Sequence, residues 1–497
     1  MVVPLYLEPR LEPRLALLLG SADFLQTLVG GLGSPLNIVL PDQIAENLAR
    51  FRAVYRRHRL SGEVFFAHKA NRSSSLVRRL AATGAGTGAG MDVASLGELQ
   101  HALGAGFTPG RIMATGPKSP EFLWLAARSG VTVNVDGRGE LDDLAALVRW
   151  YDLPRVRVLL RLSTFSSPGV RLLTRQSRFG TPVAELDGLL KAVERHKDAV
   201  ELTGVGYHLD TTSLAEKAVA LEGCVMVMNE CHNRGLEPQV IDVGGGFGVN
   251  YLADGGQWDR YTTELTQAVM GKREALTWRR HGYGLRYEAG MLSGALGLYP
   301  AHRPVAAERY LDALLSQPAP ILGHTLAVSL LESLYGLYTE PGRALVDQCG
   351  LTLARVLEVR RTGSGDRMVR LEANADDVGL EEHGVLMDPV IVPRGRGREP
   401  AADAEPVGVY LAGNLCLEAD LITRRMVFLP YLPQPGDLLG FANTAGYFMD
   451  FSADQAQHQP VARKVAAWQD GPDAGAWRWC LDEQYWPDMQ REGGHEA

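Results

Sequence analysis

The sequence predicts an α/β chain built on a parallel (β/α)8 barrel, followed by a C-terminal β-rich domain. Two observations carry this. Between about residues 36 and 345, eight strand-like runs alternate with helix-length amphipathic stretches. After Arg343 the texture changes to alternating apolar and polar residues broken by Gly-containing turns, the pattern of antiparallel sheet. An open doubly wound sheet is the competing arrangement, and the count of eight favours the barrel.

The opening segment, residues 1–35, places Glu8, Arg10, Glu12 and Arg14 ahead of an apolar patch. It lacks the basic-then-apolar order of a secretion signal, so it reads as part of the fold, packing with the β-rich domain. The barrel is expected over residues 36–345. Its strands are read at Glu63–His68, Met91–Ser95, Arg111–Thr115, Val131–Asp136, Arg155–Ser163, Glu201–His208, Gln239–Val243 and Leu334–Thr339. Stretches such as Ser74–Ala82 and Leu214–Arg234 supply the helices. The connection from Tyr251 to Leu334 is too long for a plain loop, so an insertion around 252–330 is expected to carry extra helices over one end of the barrel. The β-rich domain is expected over 346–470, with Pro393–Pro406 an exposed, mobile loop. The tail, 471–497, is polar with scattered Trp and has no predicted place.

Of the 497 residues, 46% are hydrophobic and 22% charged, an ordinary soluble globular balance. The net charge of -8 is spread along the chain and gives no reason to expect nucleic-acid or anionic-membrane partners. No apolar run is long enough to span a bilayer. The five cysteines include no CxxC pair, and Cys224 and Cys231 fall in an apolar helical pattern as core residues. So sparse a set fits a reducing cytoplasm. No metal site is predicted.

Several residues could carry chemistry. Lys69, in FFAHKAN, follows an apolar strand at the end that faces a barrel's active site. A partly desolvated lysine there can lose its proton and attack an aldehyde, although most strand-end lysines are solvated surface groups. Gly244, Gly245 and Gly246, in IDVGGGFG, follow a buried strand. Without Cβ atoms their N–H groups can approach a phosphate; a tight turn is the plainer reading. TGAGTGAG, Thr83–Gly90, precedes a strand and reads as a turn. Glu340 and Arg343, in TEPGR, close another strand, where a carboxylate could pair with a protonated ring nitrogen and an arginine with a phosphate or carboxylate. His208 ends the strand in GVGYHLD, a position usual for a core histidine.

Taken together, in order and spacing, these segments resemble the alanine-racemase-like barrel enzymes of pyridoxal phosphate (PLP) chemistry, the group II decarboxylases acting on diaminopimelate, ornithine and arginine. The resemblance runs from about Gly62 to Phe451. FFAHKAN looks like the family's YAxKAN, which implies that Lys69 holds PLP as a Schiff base. GMDVASLGEL (Gly90–Leu99), VNVD (Val133–Asp136) and SRFG (Ser177–Gly180) resemble its barrel segments. HLDT resembles HIGS, implying His208 stacked on the cofactor ring and Thr211 on its phosphate. GGGFG resembles the glycine loop and EPGR is matched in full. By carry-over Glu340 pairs with the pyridine nitrogen and Arg343 faces phosphate or substrate. GNLCLEAD resembles GPLCESGD, which implies that Cys416 is a catalytic cysteine given to the partner subunit of a homodimer with shared sites. AGYF resembles GAYG, giving Tyr447 a phosphate contact.

Two departures bear on substrate. Where these decarboxylases place an acid after the cysteine to read a distal amine, this chain has Leu417, with Glu418 one position along. HGVLMDPVIV lacks the Arg and Tyr of the family's Arg-Pro-x-Leu-Tyr stretch. The resemblance therefore implies a PLP-dependent amino-acid decarboxylase whose substrate is not lysine, ornithine or diaminopimelate. A racemase or other α-carbon lyase on the same fold stands as one alternative, and a decarboxylase-like binding protein without chemistry as another.

Overall fold

The protein is described here from a computed structural model covering residues 4–84, 88–165, 177–395, 406–469 and 475–488. Eight parallel strands form its centre: Gly62–Ala67 (β1), Ala89–Val93 (β2), Ile112–Ala114 (β3), Thr132–Val135 (β4), Val156–Ser163 (β5), Val200–Tyr207 (β6), Val240–Asp242 (β7) and Gly336–Thr339 (β8). Each pairs with the next, β8 pairs with β1, and the barrel is closed. The interior shows why these strands close. Phe65, Met113 and Leu159, from β1, β3 and β5, meet Val240 of β7 in a cluster separate from the main core. Alternate strands thus fill one layer, as a closed barrel requires. Glycines on the intervening strands make room for them. A Cβ on Gly90 would lie 2.5 Å from the Phe65 ring, and one on Gly204 would lie 2.3 Å from the Val240 carbonyl oxygen.

The β-rich region is a second sheet in which Gly350–Arg361 pairs with Arg367–Leu371 and Leu438–Ala442. One element differs from the sequence reading. Leu36–Val39 is not a barrel strand: it pairs antiparallel with Gly350–Arg361 and parallel with Arg463–Gln469, inside the β-rich sheet. All four of its residues are buried, and a short run buried on both faces fits either sheet, so periodicity does not choose between them.

Within the tail that sequence left without a place, Trp477–Leu481 belongs to this sheet. Trp477–Leu481 pairs with Arg463–Gln469. Trp477 stacks on Phe24 at 6.1 Å and donates from Nε1 to Ser21 Oγ at 3.0 Å. Ser21 and Phe24 belong to the N-terminal helical segment, Pro13–Leu19 and Ala22–Leu32, which leans on the β-rich region. Just beyond, buried Asp482 accepts from the backbone N–H groups of Ser74 and Ser75 and from the hydroxyls of Ser73 and Ser75. It satisfies the free N–H groups that open the barrel helix Ser74–Ala81.

The insertion between β7 and β8 holds the helices Gly255–Val269, Ala307–Leu315 and Leu326–Glu332 and a hairpin, Leu285–Glu288 with Met291–Gly294. It also reaches the β-rich domain, where Trp278 N donates to Arg424 O at 2.6 Å. Cys224 and Cys231 are buried in the helix Leu214–Asn233. Among the described residues no single helix is long and apolar enough to cross a membrane. Most of Pro393–Pro406 and three residues of Thr83–Gly90 lie outside the described residues.

Candidate active site

A parallel barrel presents the C-terminal ends of all its strands at one mouth. Here β1 runs into a single 3-10 turn, His68–Ala70, that carries Lys69. His208 follows β6, the three glycines follow β7, and Glu340 to Arg343 follow β8. These loops enclose two adjoining cavities of about 510 and 710 Å3 that share Lys69, His208 and Glu340. Arg161, Asn134 and Phe179 line the first, while Thr211, Gly245, Gly246, Arg343 and Tyr447 line the second.

Lys69 is reached from the cavity yet faces buried charge. Burial alone would lower its pKa, but Asp92 and Glu340 overcome this and hold it raised. The lysine therefore rests protonated, in place of the deprotonated amine that desolvation at the strand end suggested. Asp92 is buried on β2 and accepts from Thr115 Oγ1 at 2.5 Å. Burial, reinforced by Glu340, pushes its carboxyl up to about 7. No reading of the sequence singled it out, because GMDVASLGEL does not show which carboxylate turns toward Lys69.

Glu340 is 5% exposed. Burial works to raise its pKa, but the hydrogen bond from His208, then Lys69 and Arg161, keep it lowered and ionised. His208 Nδ1 lies 3.2 Å from Glu340 Oε2, and burial holds the imidazole below the usual histidine value.

The glycine turn is a steric necessity. Gly244 and Gly246 have φ of 62° and 80°. A Cβ on Gly245 would sit 2.8 Å from the Glu340 carbonyl oxygen, and one on Gly246 would sit 2.9 Å from Lys217 Nζ. Arg343 lies beneath three rings, 4.7 Å from Tyr299, 5.2 Å from Phe448 and 5.5 Å from Tyr447. Its buried Nη1 has no hydrogen-bond partner. The N–H groups of Gly244 and Gly245 donate within the protein, to Asp242 Oδ1 at 2.8 Å and His208 Nδ1 at 3.3 Å, while Gly246 borders the cavity. A buried cationic donor with no acceptor, beside a turn that no side chain fills, suits a phosphate. With an amine and an ionised buried carboxylate across the same space, the residues present fit PLP. Thr211 is at the cavity too, as are Tyr299, Arg303 and His383, which sequence reasoning missed.

Cys416 is not brought to this site. It is exposed and lines a separate cavity of about 620 Å3 with Trp278, Arg360, Arg361, Arg370, Leu417 and Glu418. Leu417 is 58% exposed, and Glu418 pairs with Arg279 at 3.3 Å.

Residues 41–291, half of the chain, match the model of the pyridoxal-dependent decarboxylase family, pyridoxal binding domain. The chain belongs to this family. It is a PLP-dependent carboxy-lyase, and PLP is its cofactor. Across 446 residues it is 30% identical to an uncharacterised protein, y4yA, of Sinorhizobium fredii, covering 88% of each chain. It is 29% identical over 451 residues to a diaminopimelate decarboxylase of Actinosynnema pretiosum, covering 89% of this chain and 85% of the relative. The crystal structure of diaminopimelate decarboxylase from M. jannaschii in complex with L-lysine superposes with a TM-score of 0.64 at 19% identity, covering 89% of each chain. That last likeness is one of fold.

Proposed function

We propose that this decarboxylase acts on an α-amino acid, or a derivative of one, that carries no distal ammonium group, and that Lys69 holds the cofactor aldehyde. The observation behind the reading is the meeting of Lys69, Glu340, His208, the glycine turn, Arg343 and Tyr447 around one pair of adjoining cavities.

When bound, PLP supplies an electron sink for the pair released as the α-carboxylate departs as CO2. The protein supplies the rest. Glu340, ionised and buried, would keep a ring nitrogen of the cofactor protonated, and His208 would support the ring. The Gly246 N–H, the Thr211 and Tyr447 hydroxyls and the Arg343 guanidinium would hold the phosphate, with Gly244 and Gly245 shaping the turn that admits it, and so would orient the substrate bonds. Lys69 must give up its proton before its Nζ can act as a nucleophile, and the Asp92 and Glu340 charges that raise its pKa oppose that step until the cofactor is bound. Cys416 acts in trans: in a homodimer with shared sites, the partner's Cys416 delivers the proton that replaces CO2 on the α-carbon. Its exposure, in a cavity apart from Lys69 of the same chain, supports that arrangement.

The surroundings of Cys416 bear on substrate. Leu417 offers an ammonium nothing. Arg360, Arg361 and Arg370 share the cavity with Glu418, and Asp420 is occupied by the backbone N–H groups of Ala375 and Leu415. Such a lining disfavours a second positive charge and admits neutral or acidic side chains. A decarboxylation screen over amino acids with and without distal charges, read by mass spectrometry, tests the proposal. CO2 release from neutral or acidic substrates is expected; loss of chirality without CO2 would replace decarboxylation by racemisation.

A further inference from the structure

Two lysines in the barrel have no exposed side chain. Lys118 has an acidic partner, Glu140 Oε1 at 2.7 Å. Lys217 has none among the described residues. Its Nζ donates to the carbonyl of Gly245 and lies 5.0 and 5.3 Å from the ring centres of Phe247 and Tyr310. Its place on the chain is also adverse. It sits in the first turn of the helix Leu214–Asn233, where the backbone dipole repels a cation. Burying an unpaired ammonium costs stability, and burial depresses its pKa to about 7. Glu340 offsets part of that burial, but no carboxylate among the described residues forms an ion pair with Lys217.

The glycine turn separates Lys217 from the larger cavity. Gly245 and Gly246 line the larger cavity, and Lys217 does not. In a planar trans peptide the carbonyl and the following N–H point in opposite directions. With the Gly245 carbonyl drawn back to Lys217, the Gly246 N–H is turned to the cavity side.

We propose that Lys217 is a positioning residue for an anion in the glycine turn: it fixes the Gly245–Gly246 peptide with its N–H toward the cavity and places a positive charge behind it. The inference rests on the reading that this turn receives the cofactor phosphate. The ligand class is a phosphate monoester dianion, for which a charge one peptide away, in a water-poor setting, is felt strongly.

The test separates phosphate binding from everything else at the site. Apo-protein is titrated with PLP and with pyridoxal, which lacks the phosphate, and the ratio of the two Kd values is compared among wild type, K217M, K217Q and K217R. Wild type should prefer PLP strongly. K217M and K217Q should lose at least about tenfold of that preference with pyridoxal affinity little changed, because the positive charge behind the Gly245–Gly246 peptide is removed. K217R keeps the charge and should stay within about threefold of wild type. Should K217M not fold, K217Q and K217R decide between charge and no charge. A wild-type ratio in K217M or K217Q, an equal loss for both ligands, or a K217R as impaired as K217M overturns the inference. A wild type that binds pyridoxal as tightly as PLP instead overturns the reading of the glycine turn beneath it.

Discussion

The backbone N–H of Tyr447 donates to the carbonyl of Ala70 at 2.9 Å. Ala70 closes the one-turn helix that carries Lys69, and Tyr447 comes from the β-rich domain. Tyr447 holds a left-handed conformation, φ 74°, to make the contact. Its hydroxyl lies 2.9 Å from where a Cβ on Gly342 would be. Barrel and β-rich domain therefore build the cavity jointly, and the strain at Tyr447 is held by packing on both sides.

The purified protein should be yellow. Borohydride reduction followed by peptide mapping should place a pyridoxyl group on Lys69, and K69A should take no label. A label on any other lysine, Lys217 included, would contradict the assignment.

Replacing Glu340 by Gln removes the buried charge that holds a ring proton while keeping the side chain's shape. E340Q should retain cofactor and lose on the order of 10²-fold in kcat, as expected for a group acting on charge that develops in the reaction. Steady-state kinetics with a substrate found in the screen, beside the cofactor absorbance, reads both. An unchanged kcat would remove Glu340 from the chemistry.

Sites shared across a homodimer can be complemented. Mixing K69A and C416A subunits under exchange should restore up to roughly a quarter of wild-type activity, since random assortment under two-fold symmetry gives half heterodimers with one intact site each. Mass spectrometry can verify the exchange, and no recovery in exchanged dimers would place Cys416 outside the neighbouring site.

Lysine, ornithine and diaminopimelate should be poor substrates compared with neutral or acidic amino acids. A carboxylate paired with a bound ammonium contributes on the order of 2–5 kcal/mol to discrimination, and Leu417 provides none of it. L417E should improve kcat/KM for lysine or ornithine. Glu418 is the competing recognition element. Its exposed pairing with Arg279 is worth about 1 kcal/mol or less, so that pairing would not hold it back. Efficient turnover of lysine by wild type, lost in E418A, would transfer recognition to Glu418.

Lys217 should also leave a mark on stability. Its pKa is about 7 in the folded chain, against roughly 10.4 when unfolded. Below 7 both states carry the proton and the burial penalty is complete. Between the two values the unfolded chain holds a proton that the folded one has released, so stability contributed at this site rises with pH. Apo K217M should accordingly gain on wild type at pH 6.5, in part offset by the Gly245 carbonyl losing its donor, and the gap should narrow toward pH 10. Urea unfolding of both proteins at the two pH values measures it. A gap that does not change with pH would mean that Lys217 is not titrating there.

What sequence showed and what it hid follow from the physics of each element. The barrel strands were legible as short apolar runs alternating with helix-length amphipathic stretches, and Lys69, His208, the glycines and Glu340 mark the ends of four of them. Leu36–Val39 was not, because a four-residue buried run has no face to report. Asp92 and Lys217 were hidden for a shared reason: a polar residue in an apolar stretch does not announce whether it is turned inward, nor which charge it meets. The charge state of Lys69 depends on both Asp92 and Glu340, far apart along the chain. Asp482 was invisible because its partners, Ser73 to Ser75, lie some 400 residues away.

The strand Leu36–Val39 sits between Gly350–Arg361 and Arg463–Gln469, so the whole barrel is spliced into a sheet whose strands come from before and after it in the chain. On the ribosome this imposes a sequence of events. The barrel strands, residues 62–339, emerge ahead of both neighbours of Leu36–Val39. A nascent chain stopped short of Arg463 would display a complete barrel beside an open strand edge, the kind of surface that invites pairing with another chain. Synthesis of Arg463–Gln469 therefore decides whether that edge is sealed within the molecule or left for a neighbour to find.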